Sequence, residues 1–319
     1  GYGLKQLGAD AMAGLSVAIV ALPLSIAIAV ASGAAPATGL VTAIVGGFVV
    51  SALGGSRFQI GGPAGAFIVL VSTTLAAHGP DGLVLAVFVS GFMLAAAGFL
   101  RLGAFVKFVP FPVTVGFTAG IAVIIAASQM RDALGLTLEG PEPGPLLEKL
   151  PTLFAAMPTF NPAALFIAFL TAATIFALKA RAPRLPAILV AVALATAVAA
   201  VAGLDVDTIG ARFGEMPHGL PAPRLPALSI ERIIEILPAA LSFTLLGAIE
   251  SLLSAVVADG MTGRRHRSNC ELAAQGVANI ASALFGGLPM TGAIARTATN
   301  VRAGAHGPVS GMLHSVFVL

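Results

Sequence analysis

Charged residues are scarce in this chain, at 10% of 319 residues, where a soluble domain has about a quarter. Hydrophobic residues make up 57%, and the mean hydropathy is +0.98. This composition excludes an ordinary soluble protein. The single cysteine, Cys270, excludes an intramolecular disulfide and a cysteine-based metal cluster. The histidines lack metal-ligand spacing, and neither a Gly-x-Ser-x-Gly nor a Walker-type motif occurs, so we expect no enzyme, cofactor or bound metal.

Apolar runs of about 18 residues or more, enough to cross roughly 30 Å of hydrocarbon as helices, recur along the chain. They predict an all-α polytopic membrane protein. The first run is too long for a signal peptide and is kept as a span. Two runs of about 13 or 14 residues would reach about two-thirds of the hydrocarbon thickness. The predicted spans are 9–31, 37–53, 64–77, 82–100, 112–130, 162–180, 186–203, 236–258, 269–285, 291–303 and 305–319.

The charges in the loops orient these spans. With a cytoplasmic N-terminus, the inside loops hold more than twice as many basic residues as the outside loops, which obeys the positive-inside rule. We therefore expect a plasma (inner) membrane protein, whose basic pI reflects topology and not nucleic-acid binding. The inside set is Lys5, Arg57, Arg101, Lys107, Lys179, Arg181, Arg184, Arg264, Arg265, Arg267 and Arg302, and the outside set is Arg131, Lys149, Arg212, Arg224 and Arg232.

Two breaks interrupt the apolar segments, Gly-Gly-Pro at 61–63 and Gly-Gly-Leu-Pro at 286–289. A break inside the membrane leaves backbone groups unpaired, and paired breaks in the two halves of a chain point to a transporter's binding site. Pro23 precedes Pro63 by 40 residues, and Glu250 precedes Pro289 by 39. Seven spans precede the second copy, an odd number, so the second copy must be inverted.

This spacing predicts a seven-plus-seven inverted-repeat fold, in which spans 3 and 10 are half-helices that meet near the midplane. The first repeat is 1–203, with spans 1–7. An outside loop, 204–235, follows, and 236–319 begins the second repeat with spans 8–11. Because about fourteen spans are implied and the chain begins without Met, we interpret it as a fragment truncated after about span 11.

The half-helix N-termini carry free N–H groups and partial positive charge, so two of them facing one point form an anion site. Small residues would let a ligand approach these amides, although small residues also seat helix–helix contacts. The candidate substrate-binding residues are Ser25, Ala64, Gly65, Ala66, Glu250, Ser254, Thr291, Gly292, Ala293 and Arg296.

Glu250 lies in an apolar span, where an unpaired ionised carboxylate costs several kcal/mol and acids mark functional sites by default. The alternative is a packing acid bonded to a nearby Ser or Thr. Ser254 is one turn further on the same face. Arg296 could hold a planar oxyanion, pair with Glu250 or snorkel to the surface. Ser268 and Glu271 predict an N-capping box at the start of the ninth span.

Four long motifs resemble the sulfate permease family of anion transporters, most strongly from 245 to 306: LPLSIAIAVASG, GGSRFQIGGPAGAF, AIESLLSAVVADGMTGRRH and NCELAAQGVANIASALFGGLPMTGAIARTATNVRAGA. The resemblance implies a core of spans 1–4 and 8–11 that moves against a gate of spans 5–7 and 12–14. It also implies a homodimer with a cytoplasmic C-terminal domain similar to anti-sigma-factor antagonists. The last gate spans and that domain are not in this sequence.

The resemblance also places the substrate between the starts of spans 3 and 10, with the acidic position at Glu250, the small polar position at Ser254 and the basic position at Arg296. Sodium-coupled bicarbonate transporters of the family carry Asp at the acidic position and hydroxyls near the breaks. This chain has alanines at 64 and 66 and Ile294 instead. Fewer hard oxygen ligands favour a proton over sodium as the coupling ion.

The leading hypothesis is a secondary active transporter of small anions (sulfate, bicarbonate or a dicarboxylate), proton-coupled through Glu250 and working by alternating access. The alternatives are a passive anion exchanger or channel, sodium-coupled bicarbonate uptake, a nucleobase transporter of the same fold, and a membrane scaffold without transport.

Overall fold

The structure, a computed structural model, is that of an α-helical membrane protein, as the hydropathy predicts. It describes residues 2–104, 111–140, 143, 145–182, 185, 187–214 and 219–319, and only the backbone at 111, 113–115, 117, 118, 121 and 213. Two members of the predicted inside set, Lys107 and Arg184, lie outside the described residues.

Helices and two short strands follow one another along the chain. Up to the first break they are α1 (Leu4–Ala31), α2 (Pro36–Val41), a π-helical turn (Thr42–Gly46), α3 (Gly47–Leu53) and β1 (Gly61–Pro63). After it come a 3₁₀ turn (Gly65–Phe67), α4 (Ile68–Phe99), α5 (Phe111–Leu134), α6 (Leu146–Ala155), a 3₁₀ turn (Met157–Thr159), α7 (Pro162–Arg181), α8 (Ala187–Val201) and α9 (Ile209–Phe213). The last elements are α10 (Ile230–Thr262), α11 (Ser268–Leu284), β2 (Met290–Gly292), α12 (Ile294–Arg302) and α13 (Val309–Val318).

Several stretches of the described chain are long and apolar enough to cross a membrane: Leu4–Ala31, Pro36–Leu53, Gly65–Phe99, Pro162–Arg181 and Ile230–Thr262. The stretch that ends at Phe99 covers most of two predicted spans, 64–77 and 82–100. The helix is interrupted between them at one residue, because Gly79 adopts φ 67° and the helix restarts at Pro80. Glycine permits this conformation without steric cost.

Several helix boundaries differ from those predicted, and the start of α10 and the cap of α11 have a visible cause. The α10 helix begins at Ile230, before the predicted 236, because the Ser229 hydroxyl accepts a hydrogen bond from the Arg232 N–H at 3.2 Å and caps the helix. The predicted capping box of α11 is wrong. Its N-cap is Arg267, which makes no side-chain cap. The Glu271 carboxylate instead accepts hydrogen bonds from a segment outside α11, as described below.

The chain divides into two compact units, one of Gly1–Ala119 with Pro217–Leu319 and one of Gly120–Met216. The first unit contains both breaks and all the candidate site residues. Within the second, Asn161 caps α7 and also donates to the Asp205 carbonyl at 2.7 Å. An ion pair of 3.0 Å joins Arg212 to Asp132 in the same unit.

In the first unit, α11 packs along α4 through glycines. A β-carbon at Gly276 would lie 2.3 Å from the Ala95 nitrogen and 2.5 Å from the Gly91 carbonyl oxygen. A β-carbon at Gly91 would in turn lie 2.8 Å from the Gly276 carbonyl oxygen. Small residues at such positions let helix backbones approach closely in membranes. Beside this contact, the Phe67 and Phe243 rings pack edge to face, 5.8 Å apart, in the apolar core.

Gly276→Ala is expected to destabilise the protein by about 1–3 kcal/mol. The added methyl group would clash with backbone atoms of α4, which can shift only together with the rest of that helix. Thermal unfolding in detergent measures this. Gly8→Ala is the matched control, since a β-carbon there has nothing within 4 Å. Equal melting temperatures for the two variants would show that the close contact does not limit stability.

Candidate functional site

The two breaks meet in a short antiparallel ladder. Strand β1 pairs with β2 in the register Gly61 to Gly292, Gly62 to Thr291 and Pro63 to Met290. All six residues are buried. Because the strands are antiparallel, the chain leaves them in opposite directions, into the turn before α4 and into α12. Sequence segments from the two ends of the chain therefore converge on one small region.

Arg296 lies against this ladder and is fully buried. Its Nη2 atom donates to the Ser25 hydroxyl at 3.1 Å and, at 3.4 Å, to the Pro63 carbonyl oxygen. A β-carbon at Gly62 would lie only 2.0 Å from Nη1. The first break thus contains glycine at 62 because the guanidinium occupies the space that a side chain would need. Burial also excludes the snorkelling alternative for Arg296.

Two further donor atoms of Arg296, Nε and Nη1, have no hydrogen-bond partner among the described residues. A buried charged donor without a partner is costly. The planar guanidinium matches an oxyanion in a two-pronged geometry. A planar oxyanion has the geometry to accept hydrogen bonds from such donors.

Glu250 does not supply the partner for Arg296, since no ion pair between the two occurs in the described structure. Glu250 is half-buried on α10. Its Oε2 atom is buried and has no hydrogen-bond partner in the described part of the chain. The packing alternative, in which Glu250 is hydrogen-bonded to a neighbouring Ser or Thr, is not seen among the described residues either.

The hydroxyl groups near the ladder hold α10 in place. Thr291 donates to the Gly247 carbonyl at 3.1 Å. Ser254 and Thr297 share a hydrogen bond of 3.1 Å, and Thr297 also accepts from the Ile60 N–H at 3.1 Å. Ser254 and Thr291 are fully buried. Their predicted contact with substrate remains a prediction, whereas their role in attaching α10 to the ladder is visible.

The small residues at the two helix starts differ in how exposed they are to a ligand. Ala64 and Gly292 are buried, whereas Gly65, Ala66 and Ala293 are half-buried. Neither N-cap residue, at 64 or 293, has a side-chain cap, so the helix starts keep orphan N–H groups. The Ala293 N–H, however, donates to the Ile60 carbonyl at 2.8 Å and is not available.

A buried acid, Glu271, reaches the same region, whereas the sequence predicted only a helix cap for it. It is fully buried, and its Oε2 accepts from the N–H groups of Gly55 at 2.8 Å and Ser56 at 3.0 Å. Oε1 accepts from Gln275 at 3.1 Å and from Ser251 at 3.5 Å. This carboxylate therefore joins α10 and α11 to the segment that leads into β1.

Gln59, also missed, continues this network towards the ladder. Its Nε2 donates to the Ser251 hydroxyl at 2.9 Å. A β-carbon at Gly292 would lie 1.7 Å from the same Nε2, so Gly292 leaves the space that this amide fills. Gln59 precedes the first break by two residues, a position that a search for charged or catalytic residues passes over.

Comparison with known proteins identifies the family. A model described as the sulfate permease family matches residues 7–319. The chain is 44% identical over 321 residues to the putative sulfate transporter YvdB of Bacillus subtilis, covering 100% of this chain and 60% of that protein. It is 34% identical over 325 residues to the bicarbonate transporter BicA of Synechocystis, covering 99% of this chain and 56% of that protein. The chain thus spans less than two-thirds of the length of these relatives.

Solved structures agree with the fold. The transmembrane domain of a cyanobacterial bicarbonate transporter, BicA, matches with a TM-score of 0.90 and 31% identity, over 99% of this chain and 82% of that one. The murine anion transporter Slc26a9 in its inward-facing state matches with a TM-score of 0.86 over 99% of this chain and 56% of that one, and at 19% identity it supports the fold alone. Each of these relatives is named as a transporter, in line with the expectation of a protein that is not an enzyme. The all-α membrane fold and the family resemblance are both confirmed, and the chain belongs to the sulfate permease family.

Proposed function

We propose that this chain forms part of a secondary active transporter of small anions, with sulfate, bicarbonate and dicarboxylates as the substrate class. The observation that carries the proposal is the buried Arg296 guanidinium beside the paired breaks, which has two donor atoms without a partner in the described part of the chain. Two uncapped helix starts add partial positive charge at the same place. Sulfate and bicarbonate transporters among the relatives support the same class.

The proposed architecture is the inverted repeat, with 1–203 as the first repeat, 204–235 as the loop and 236–319 as the start of the second. The opposite directions in which the chain leaves β1 and β2 support an inverted arrangement. We propose alternating access, in which the core moves past the gate, and a homodimer in the plasma (inner) membrane with a cytoplasmic N-terminus.

We propose a proton as the coupling ion and Glu250 as its carrier. A carboxylate oxygen that is buried and unpartnered is stabilised by protonation, because the proton removes an uncompensated charge from an apolar region. Sodium would need several hard oxygen ligands. The alanines at 64 and 66 supply no side-chain oxygen.

Glu250→Gln is therefore expected to abolish pH-driven accumulation while leaving anion binding and exchange intact. A gradient of one pH unit supports up to about tenfold accumulation of the anion per coupled proton. In the variant, the anion concentrations inside and outside should become equal. Uptake of labelled sulfate and bicarbonate into proteoliposomes, with the pH and sodium gradients imposed separately, measures this. Glu231→Gln, an exposed acid on the same helix, is the matched control.

Four outcomes would contradict this proposal. Accumulation that still follows the pH gradient in Glu250→Gln would remove this residue from coupling. Accumulation that follows sodium in the wild type would favour sodium-coupled uptake. Currents that scale with the anion gradient and ignore both cations would indicate passive exchange or conduction. Binding of uracil in place of any anion would instead indicate a nucleobase transporter.

A further inference from the structure

A second basic site lies apart from the ladder, at one end of the first unit. A cavity of about 930 Å³ opens where the N-terminus, the segment after α3, the α10–α11 connection and the segment before α13 meet. By the loop charges, this end is the one predicted to face the cytoplasm. Its charged lining consists of Arg57, Arg264, Arg265, Arg267 and Asp259.

The arginines of this cavity form no close contacts with acids. Within the described ranges, no ion pair joins any of the four to a carboxylate. The acid in the wall, Asp259, is already engaged by His266, whose N–H and Nδ1 both lie within 3.0 Å of the same carboxylate oxygen. The phenol of Tyr2 adds no negative charge at physiological pH, and desolvation together with its hydrogen bond to Asp10 raises its pKa further, to about 12.

The positive-inside rule explains why basic residues face the cytoplasm, but it does not explain why they surround a cavity with a fixed wall. Part of this wall is fixed by hydrogen bonds, because the buried Glu271 carboxylate accepts from the N–H groups of Gly55 and Ser56. Arg264 is also held in place, with its guanidinium 5.7 Å from the centre of the Phe58 ring. Such a cation–π contact orients the charge before any ligand arrives.

We propose that this cavity binds a phosphate-bearing anion of two or more negative charges, at a site separate from Arg296. Arginine forks pair with phosphate oxygens in charge-assisted hydrogen bonds. Four solvent-exposed arginines line this one cavity, and four positive charges suit a diphosphate or a phospholipid headgroup better than a small monovalent ion. This inference does not depend on which anion the protein transports.

The test uses the full chain in phosphatidylcholine nanodiscs, with inorganic pyrophosphate as the probe and calorimetric titration as the measurement. The variant is the triple substitution Arg264→Gln, Arg265→Gln and Arg267→Gln. We expect it to weaken pyrophosphate binding by at least about tenfold, since it removes three charge-assisted contacts. Arg302→Gln, an exposed arginine outside the cavity, is the matched control and should bind as the wild type does.

A parallel arm distinguishes the source of the phosphate. If pyrophosphate does not bind but phosphatidylglycerol raises the melting temperature of the wild type and not of the triple variant, the ligand is a lipid headgroup. If neither ligand binds, or if Arg302→Gln loses as much affinity as the triple variant, the proposal is overturned. It is also overturned if Arg296→Gln abolishes pyrophosphate binding while the triple variant keeps it, because the anion would then lie at the ladder.

Discussion

Gly62→Ala is expected to abolish anion binding at the ladder, with a loss of affinity of about 100-fold or more. The new methyl group would lie 2.0 Å from Nη1 and 3.2 Å from Cζ of Arg296, so the guanidinium must leave its place. Hydrogen bonds to charged groups contribute about 1.5–3 kcal/mol each, and losing two of them corresponds to about this factor. Stabilisation by sulfate or bicarbonate in a thermal-shift titration measures the affinity.

Two controls separate displacement of Arg296 from misfolding. Gly260→Ala makes the same chemical change on α10, where a β-carbon has nothing within 4 Å, and should bind anions as the wild type does. Arg296→Lys keeps the charge but loses the planar fork, and should also bind weakly while melting as a folded protein. Wild-type affinity in Gly62→Ala would refute the assignment of Arg296 to the anion site.

The second large effect is expected at Glu271, where replacement by alanine should destabilise the protein by about 3–5 kcal/mol. Removing the carboxylate leaves the N–H groups of Gly55 and Ser56 and the amide of Gln275 buried without their acceptor. Each such loss carries a desolvation penalty of about 1–3 kcal/mol. Thermal or chemical unfolding in detergent measures the change.

Glu139→Ala, at an exposed acid of the second unit, is the matched control and should change stability little. Glu271→Gln should fall between the two, because its amide oxygen still accepts one or two of these hydrogen bonds while its NH₂ group faces donors. A melting temperature for Glu271→Ala equal to that of the control would mean that the buried carboxylate contributes nothing to stability.

Much of this fold could be predicted because the bilayer restricts what a chain can do. Long apolar runs must be helices, and glycine–proline breaks within them must lie where protein can satisfy the backbone. For the same reason an arginine and a glutamate inside spans stand out. Arg296 lies against the first break, and its contact with substrate stays a prediction. These inferences depend on composition over many residues, which a sequence displays directly.

The remaining features depend on contacts between distant segments, which composition does not reveal. Ser268 and Glu271 have the spacing of a capping box, yet the carboxylate binds Gly55 and Ser56 because the tertiary fold brings that segment against α11. Thr291 likewise looked like a ligand, and its hydroxyl is bonded to Gly247. Local spacing identified the polar groups but not their partners.

The three-residue ladder also limits how the chain can change in length. Successive residues of a strand face opposite sides, so inserting or deleting one residue in β1 or β2 exchanges the two faces. After such a change in β1, Gly62 would face away from Arg296, and an adjacent residue of the strand would face the guanidinium instead. Natural variants of this chain are therefore expected to gain and lose residues in the loops between helices, while both breaks keep their length.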